Sequence, residues 1–405
     1  MKAVEIKPDI YWVGAIDWAV RDFHGYVTPS GTTYNNYLIL DDDITLVDTV
    51  KFDFGDIATS NIASLVEVSK IKNVIVNHIE NDHMGSLRRI MNLTKNATIY
   101  TTEKGKAGMA RFFDISKWDI KTVKTGYELK TGKYTLMFIE TPMMHWPDSM
   151  VTYVKEAHLL ISQDAFGQHY ASTERFDDDF IASASEAELE DAVIDYYANI
   201  LMPFGKLIKA KIGELKKLGI PIDMIAPDHG FIWRKNPGKV IDMYMNMAGG
   251  KSNLRIAIIY DTMWHGTEIM TQPIVQGIKD EGVACKVIKL RASPMSVAIK
   301  EFWNSRGCLI GSPTLNNEVY PSVAEFIVHL RGLRPSDRLM GAFGCYGWSG
   351  GAVKWLYNEF KGMKLGDVGP GLEMNFRPVQ EDDKKCYDFG REFARQVKEF
   401  HKKYE

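Results

Sequence analysis

Paired cysteines are missing from this sequence. Its four cysteines, Cys285, Cys308, Cys345 and Cys386, all fall in the last third of the 405 residues, and no two form a C-x-x-C pair. That excludes a disulfide framework, a zinc ribbon and a cysteine-bound iron–sulfur cluster, and leaves four reduced, mostly buried thiols as the expectation. Charge of one sign is missing as well. With 52 acidic against 49 basic residues the net charge is −3, so the basic excess that a nucleic-acid partner requires is absent. No run of 18 apolar residues occurs, which excludes a membrane-spanning helix. The first residues, MKAVEIKPDIYWVGAIDW, carry Glu5, Asp9 and Asp17 where a signal peptide needs an unbroken apolar core. A cytoplasmic protein is expected. Glycine and proline, 33 and 15 in number, are close to average usage and give no collagen-like or low-complexity reading.

What is present is an ordinary globular composition, 45% hydrophobic and 25% charged. At about 150 residues per domain it has material for two or three cores. Short β-prone runs open the chain (IYWVG, TYNNYLIL, ITLVDTV), followed by IKNVIVNH, ATIYTT, YTLMFIET and MVTYVKEAHLLISQD. Residues 185–218 turn helical, and MIAPDHG returns to strand. This predicts a layered α/β unit over residues 1–250. NMAGGKSNLR has the composition of a linker. Beyond it RIAIIYDT, ACKVIKL, GCLIGSP and LMGAFGC are buried-strand runs, each followed by a helical stretch. That rhythm predicts an open, doubly wound parallel sheet over residues 251–405. The acidic triplet Asp177-Asp178-Asp179 and the terminal KEFHKKYE read as a solvated loop and a fraying helix end.

Seven of the ten histidines precede residue 250, which places any metal chemistry in the first half. The sharpest motif is His78-x-Glu80-x-Asp82-His83, placed directly after a strand. On an extended chain residues 78, 80 and 82 share one side, and His83 turns toward a neighbouring position. Four such side chains buried without partners are costly, so a strand end bearing them favours cations. His145 in TPMMHWPDS, Asp164 in LLISQDAFG and His229 in MIAPDHG each follow an apolar run that carries them to one rim of a sheet. Four His, one Glu and two Asp suffice for two metals with one shared carboxylate, and imidazole with carboxylate suits iron or manganese as well as zinc.

The spacing resembles the metallo-β-lactamase fold, whose hydrolases carry H-x-H-x-D-H at this strand end. Glu80 stands here in place of the second histidine, and that replacement resembles the flavodiiron proteins over the whole chain. The resemblance implies one iron on His78, Glu80 and His145, a second on Asp82, His83 and His229, and Asp164 bridging. It also implies an N-terminal metallo-β-lactamase-like αβ/βα sandwich and a C-terminal flavodoxin-like doubly wound parallel sheet. His24, in H-G-Y, resembles a pocket residue on the substrate side and is the one catalytic candidate, with a plain structural role as its alternative. Trp146 either walls the pocket or fills core, and His158 and His169 match no ligand position.

In the second half the loop Thr262-Met263-Trp264-His265-Gly266-Thr267 is rich in hydroxyls and poor in glycine. It is neither a dinucleotide nor a triphosphate loop. Hydroxyls and N–H groups at a helix N-terminus suit one terminal phosphate. This resembles the flavodoxin phosphate loop and implies FMN. Two further strand ends converge with it: Pro313, Thr314, Leu315 and Asn316 after CLIG, and Gly344, Tyr346, Gly347, Trp348, Ser349 and Gly350 after LMGAF. Pro273, inside the helix after the phosphate loop, is expected to kink or shift that helix.

Two electrons from FMN and two from a di-ferrous pair make the four that convert O2 to water, so the combination implies an oxidoreductase in electron transport. The resemblance extends to O2 or NO as substrate and to a head-to-tail homodimer or dimer of dimers. No C-x-x-C pair for a fused rubredoxin is present. The expected donor is therefore separate, either reduced coenzyme F-420, as in the methanogen branch the text most resembles, or a rubredoxin. The rivals are a zinc hydrolase joined to a flavodoxin and a pure electron-transfer module.

Overall fold

A computed structural model describes residues 2–404. The chain divides into two compact units. The first comprises the chain through His24, Thr28–Tyr196 and Lys206–Ala248; the second takes Gly25–Val27, Tyr197–Gly205 and the chain from Gly249 onward.

Two large sheets build the first unit, beside a two-stranded ribbon of Ala15–Asp17 and Thr32–Tyr34. Seven strands run in the order Val4–Lys7, Ile10–Trp12, Tyr37–Ile39, Thr45–Val47, Asn73–Ile75, Thr98–Thr101, Asp119–Thr122. Five more run Glu128–Lys130, Thr135–Glu140, Met150–Val154, Leu159–Gln163, Met224–Pro227. Alternation along the strands explains why they stack. Tyr37, Ile39, Val47 and Ile75 enter a core with Leu136, Phe138, Met150, Leu159 and Ile161 of the second sheet. Their neighbours Leu38, Leu46 and Val74 point the other way, onto a core shared with Ile62, Leu87, Ile90 and Met109 of flanking helices. The result is the α/β sandwich the sequence implied.

The second unit is a parallel sheet in the order Ala284–Lys289, Asn253–Tyr260, Ser305–Gly311, Leu339–Tyr346, with Gly366–Asp367 and Leu372–Asn375 both paired to the last of these. Its topological switch point lies between Asn253–Tyr260 and Ser305–Gly311, where doubly wound sheets bind ligands. Helices cover both faces. Among the described residues no helix is long and apolar enough to cross a membrane.

Local readings of the sequence needed correction. The acidic triplet opens the helix Asp177–Ser183 rather than a solvated loop. Asp177 is buried and accepts from Arg234 N, while Arg234 pairs with Asp178 and Asp179. The chain end is fastened, not frayed: Tyr404 donates to Asp337 at 2.9 Å and lies under the Arg306 guanidinium. Only Cys308 and Cys386 are buried; Cys285 and Cys345 are intermediate. The helix Gly266–Asp280 runs unbroken through Pro273. It packs closely against Asp383–His401: a Cβ on Gly277 would meet Tyr387 O at 2.2 Å, and one on Gly390 would meet Ile274 O at 2.2 Å.

The same helix pair is tied by Glu281, which receives Arg391 at 2.9 Å, Arg395 at 2.8 Å and Lys398 at 3.2 Å. Hydrogen bonding from Arg391, joined by Lys398 and Arg395 against a smaller opposing effect of burial, holds the carboxyl down at about 2 from its ordinary 4.5. A folded carboxyl held below its unfolded value stabilises the fold above 4.5 and loses that contribution as pH falls toward 2. Glu281→Gln is therefore expected to lower the melting temperature at pH 7, with the gap to the unsubstituted protein closing on acidification below pH 4.5. A gap independent of pH would place the effect in packing instead.

Candidate metal centre and flavin cleft

The strand Asn73–Ile75 stops three residues short of His78, and the one-turn helix Asn81–Met84 begins directly after Glu80. The expected extended run over 78–82 is thus broken at Asn81. Asp82 and His83 lie in that turn with Asp82 Oδ2 and His83 Nε2 in contact, whereas His78 and Glu80 remain outside it. His145, Asp164 and His229 arrive on loops after Thr135–Glu140, Leu159–Gln163 and Met224–Pro227.

These seven side chains form two groups. In one, ligand atoms of His78, Glu80, His145 and Asp164 all lie within 4.8 Å of one another; Asp82, His83 and His229 make the other under the same limit. Asp164 faces both. Its Oδ2 is 2.7 Å from His145 Nε2 and 3.5 Å from His78 Nε2. Its Oδ1 is 3.0 Å from His83 Nε2 and 3.3 Å from His229 Nε2. Glu80 Oε2 closes the first group, 3.3 Å from His78 and 3.5 Å from His145. Asp82 Oδ2 closes the second, 3.0 Å from His229 and 3.2 Å from His83.

This donor set fits two cations. Both oxygens of Asp82, both ring nitrogens of His83, Asp164 Oδ1 and His229 Nε2 are buried without a hydrogen-bond partner, an arrangement that costs several kcal/mol unless a positive charge completes it. Electrostatics agree. Burial works to lower the His78 pKa, but hydrogen bonds to Asp148 and Glu80 outweigh it and push the imidazole up to about 10. Burial would likewise raise Asp164, yet His83 and His145 hold it well below the usual carboxylate range.

Residues behind the ligands were not found from sequence. Asp148 Oδ2 sits 3.0 Å from His78 Nδ1 and accepts Ile79 N at 2.9 Å. Asp228 Oδ2 lies 3.3 Å from His83 Nδ1, and the carbonyl of Thr33 is 2.6 Å from His229 Nδ1. Asp148 and the Thr33 carbonyl thus turn Nε2 of His78 and of His229 inward, whereas Asp228 stands beside His83 as a nearby charge without a hydrogen bond. The only signal for the two carboxylates was proximity to a ligand motif, H-W-P-D and D-H. His24 Nδ1 meets Glu80 Oε1 at 3.0 Å. Burial lowers the His24 pKa, but Glu80 more than reverses that, for a net rise. His169 is buried beside His229, with Nδ1 2.7 Å from Thr32 Oγ1. His158 pairs with Asp223 at 2.8 Å, away from both groups. Trp146 sets its ring edge against His78, centroids 5.2 Å apart.

In the second unit a cleft of about 460 Å³ opens at the carboxyl ends of the parallel strands. Met263, Trp264, Gly266, Pro313, Thr314, Leu315, Asn316, Tyr346, Gly347, Trp348 and Ser349 line it. Of the sequence candidates Thr262, His265, Thr267, Gly344 and Gly350 stand outside that lining; His265 is turned to Glu268 at 2.7 Å. Asn317, Cys345, Phe376 and Arg377 also line the cleft and were missed. Trp264 and Trp348, 79% and 87% exposed, form its open rim.

A family profile described as "ODP family beta lactamase" matches residues 32–230, and one described as "Flavodoxin" matches residues 258–390. The chain is 42% identical to the nitric oxide reductase of Moorella thermoacetica, over 97% of this chain and 98% of that one. It superposes on rubredoxin oxygen:oxidoreductase from Desulfovibrio gigas with a TM-score of 0.95 at 36% identity, covering 98% of this chain and 99% of the other. The flavodiiron protein of Giardia intestinalis superposes with a TM-score of 0.95 at 32% identity, covering 100% of this chain and 98% of that one. The chain belongs to the flavodiiron proteins. A flavodiiron protein is an oxidoreductase whose cofactors are FMN and a di-iron pair, and the α/β sandwich and flavodoxin fold described above are those two cofactor domains.

Proposed function

We propose that this flavodiiron protein reduces O2 to water, taking electrons through FMN in the cleft of the second unit. The observation that carries the reading is Asp164, one carboxylate with one oxygen toward each of two complete ligand groups. In this reading His78, Glu80 and His145 would hold one iron and Asp82, His83 and His229 the other, with Asp164 available to both. When bound, two irons and FMN supply the electrons of O2 + 4 e⁻ + 4 H⁺ → 2 H2O. The chain's own residues set the conditions. Asp148 and the Thr33 carbonyl fix the orientation of His78 and His229, and His24 holds a proton at Nδ1 against Glu80 Oε1. The ring of Phe23, 4.2 Å from His24 and 5.8 Å from His229, keeps water from that side. Thr262–Thr267 would receive the FMN phosphate, and Trp264, Tyr346 and Trp348 would flank the ring system.

The donor in this proposal is separate from the chain and is reduced coenzyme F-420, with rubredoxin as its alternative; the Desulfovibrio relative is named for rubredoxin. The name of the Moorella relative supports a second reading, reduction of two NO to N2O and water. Anaerobic single turnover separates them. Metal-analysed, fully reduced protein is expected to contain two irons and one FMN per chain and to be reoxidised rapidly by O2 without release of peroxide. Faster reoxidation by NO with N2O formed would establish the second reading. Zinc in place of iron, or reoxidation at the rate of free flavin, would reject both and favour a hydrolase. Anaerobic mixing of reduced F-420 with the oxidised protein decides the donor: the visible absorbance of oxidised F-420 rises as the FMN is reduced, or neither changes.

A further inference from the structure

At the root of the phosphate loop lies an ion pair that flavin binding as described leaves unused. Asp261 follows the strand Asn253–Tyr260, is fully buried, and immediately precedes the loop 262–267. Arg291, beyond the end of the neighbouring strand Ala284–Lys289, donates through Nε to both of its carboxylate oxygens at 3.0 Å. Ser322, at the start of the helix Pro321–Gly332, donates to the same carboxylate. Three elements therefore meet on one buried side chain.

The pair also controls Thr262. Its N–H donates to Asp261 Oδ1 at 2.7 Å, and its carbonyl accepts from Arg291 Nη2. With both main-chain groups engaged, the residue cannot rotate. Its hydroxyl, buried, has no partner. Meanwhile the Arg291 guanidinium lies 4.8 Å from the centre of the Tyr320 ring, which limits its own freedom. A buried carboxylate at the entrance of an anion-binding loop opposes the anion, because like charges in a medium less polar than water repel strongly. It is tolerable there only if a fixed cation cancels it.

We propose that Arg291 is a positioning residue for phosphate recognition: by neutralising Asp261 and clamping Thr262, it makes the loop select a phosphorylated flavin over an unphosphorylated one. This rests on reading the cleft as the FMN site. Arg291 acts through Asp261 and Thr262 and need not touch the ligand.

The test is a titration of the full-length, flavin-depleted protein with FMN and with riboflavin, which share the ring system and differ in the phosphate. Arg291→Ala is expected to weaken FMN about tenfold, the scale of one uncompensated charge near the phosphate, and to leave riboflavin affinity nearly unchanged. Adding Asp261→Asn to that variant removes the offending charge and is expected to recover most of the lost preference for FMN, the remainder being the hold on the Thr262 carbonyl that Arg291 supplies. Arg291→Lys, which keeps the positive charge, should retain most of it. Equal losses for both flavins would overturn the proposal, since a merely structural role does not distinguish them. A phosphate-specific loss that the double variant does not restore would make Arg291 a direct ligand and overturn it as well. If Arg291→Ala does not fold, Asp261→Asn alone decides: a preserved or increased FMN preference supports the proposal, and a lost preference rejects it. Failure of the unsubstituted protein to bind either flavin would instead reject the cleft as the FMN site.

Discussion

Asparagine in place of Asp164 is expected to cut the metal content from two ions per chain to one or fewer and to lower O2 turnover more than about a hundredfold; loss of an outer partner alone costs roughly 10- to 100-fold. The change is nearly isosteric, so the argument concerns charge and donor number. Asp164 gives Oδ2 to His145 and His78, and Oδ1 to His83 and His229. An amide has one oxygen. Whichever way it is turned, its NH2 group faces one of the two histidine pairs and cannot share a cation with it. FMN content should be unchanged, because the cleft is built from other residues. The metal-free fold is expected to lose stability, because His83 and His145, which hold the Asp164 carboxylate ionised, are left without their charged partner. A variant that keeps two irons and its turnover would show that Asp164 does not bridge.

Alanine at Gly344 is expected to unfold the cleft rather than the metal centre. A Cβ there would stand 1.8 Å from the carbonyl oxygen of Ser312 and 2.9 Å from its carbon. Both atoms are backbone, so no rotamer relieves the contact, and the main-chain bond from Ser312 N to Phe343 O at 3.0 Å must open. Overpacking typically costs about 1–3 kcal/mol, and a backbone collision belongs at the upper end. For a domain of this size about 3 kcal/mol corresponds to roughly 6–12 °C in melting temperature. The loops at Pro313 and Tyr346 leave from these two strand ends, so FMN should be lost with them. Full flavin content and an unshifted melt would refute the argument, and retained metal would confirm that the damage is confined to one unit.

What was legible in the sequence depended on how local the signal was. The two candidate ligand groups were readable because most of their members follow an apolar strand-like run, and because His78 to His83 concentrate four donors in six residues. The doubly wound sheet was readable from its repeated buried-strand runs. The partners behind the ligands were not. Asp148 acts on a histidine 70 positions earlier, and Asp228 on one 145 positions earlier, and neither spacing has a period. Asp177 to Asp179 looked solvated because their cation, Arg234, lies more than fifty residues downstream. Phe376 and Arg377 escaped because the strand before them, Leu372–Asn375, is four residues long and reads as loop. The reading of 78–82 as extended chain failed for a different reason: period-two spacing is equally compatible with a loop that runs into a helix.

That break at Asn81 has a consequence for how the chain can vary. Since His78 and Glu80 serve one group and Asp82 and His83 the other, six consecutive residues reach both groups and act as a ruler between them. Length there is fixed more tightly than chemistry. An aspartate for a glutamate shifts one side chain, but a single residue gained or lost between His78 and His83 changes the separation of the two groups, and no distant substitution can restore it.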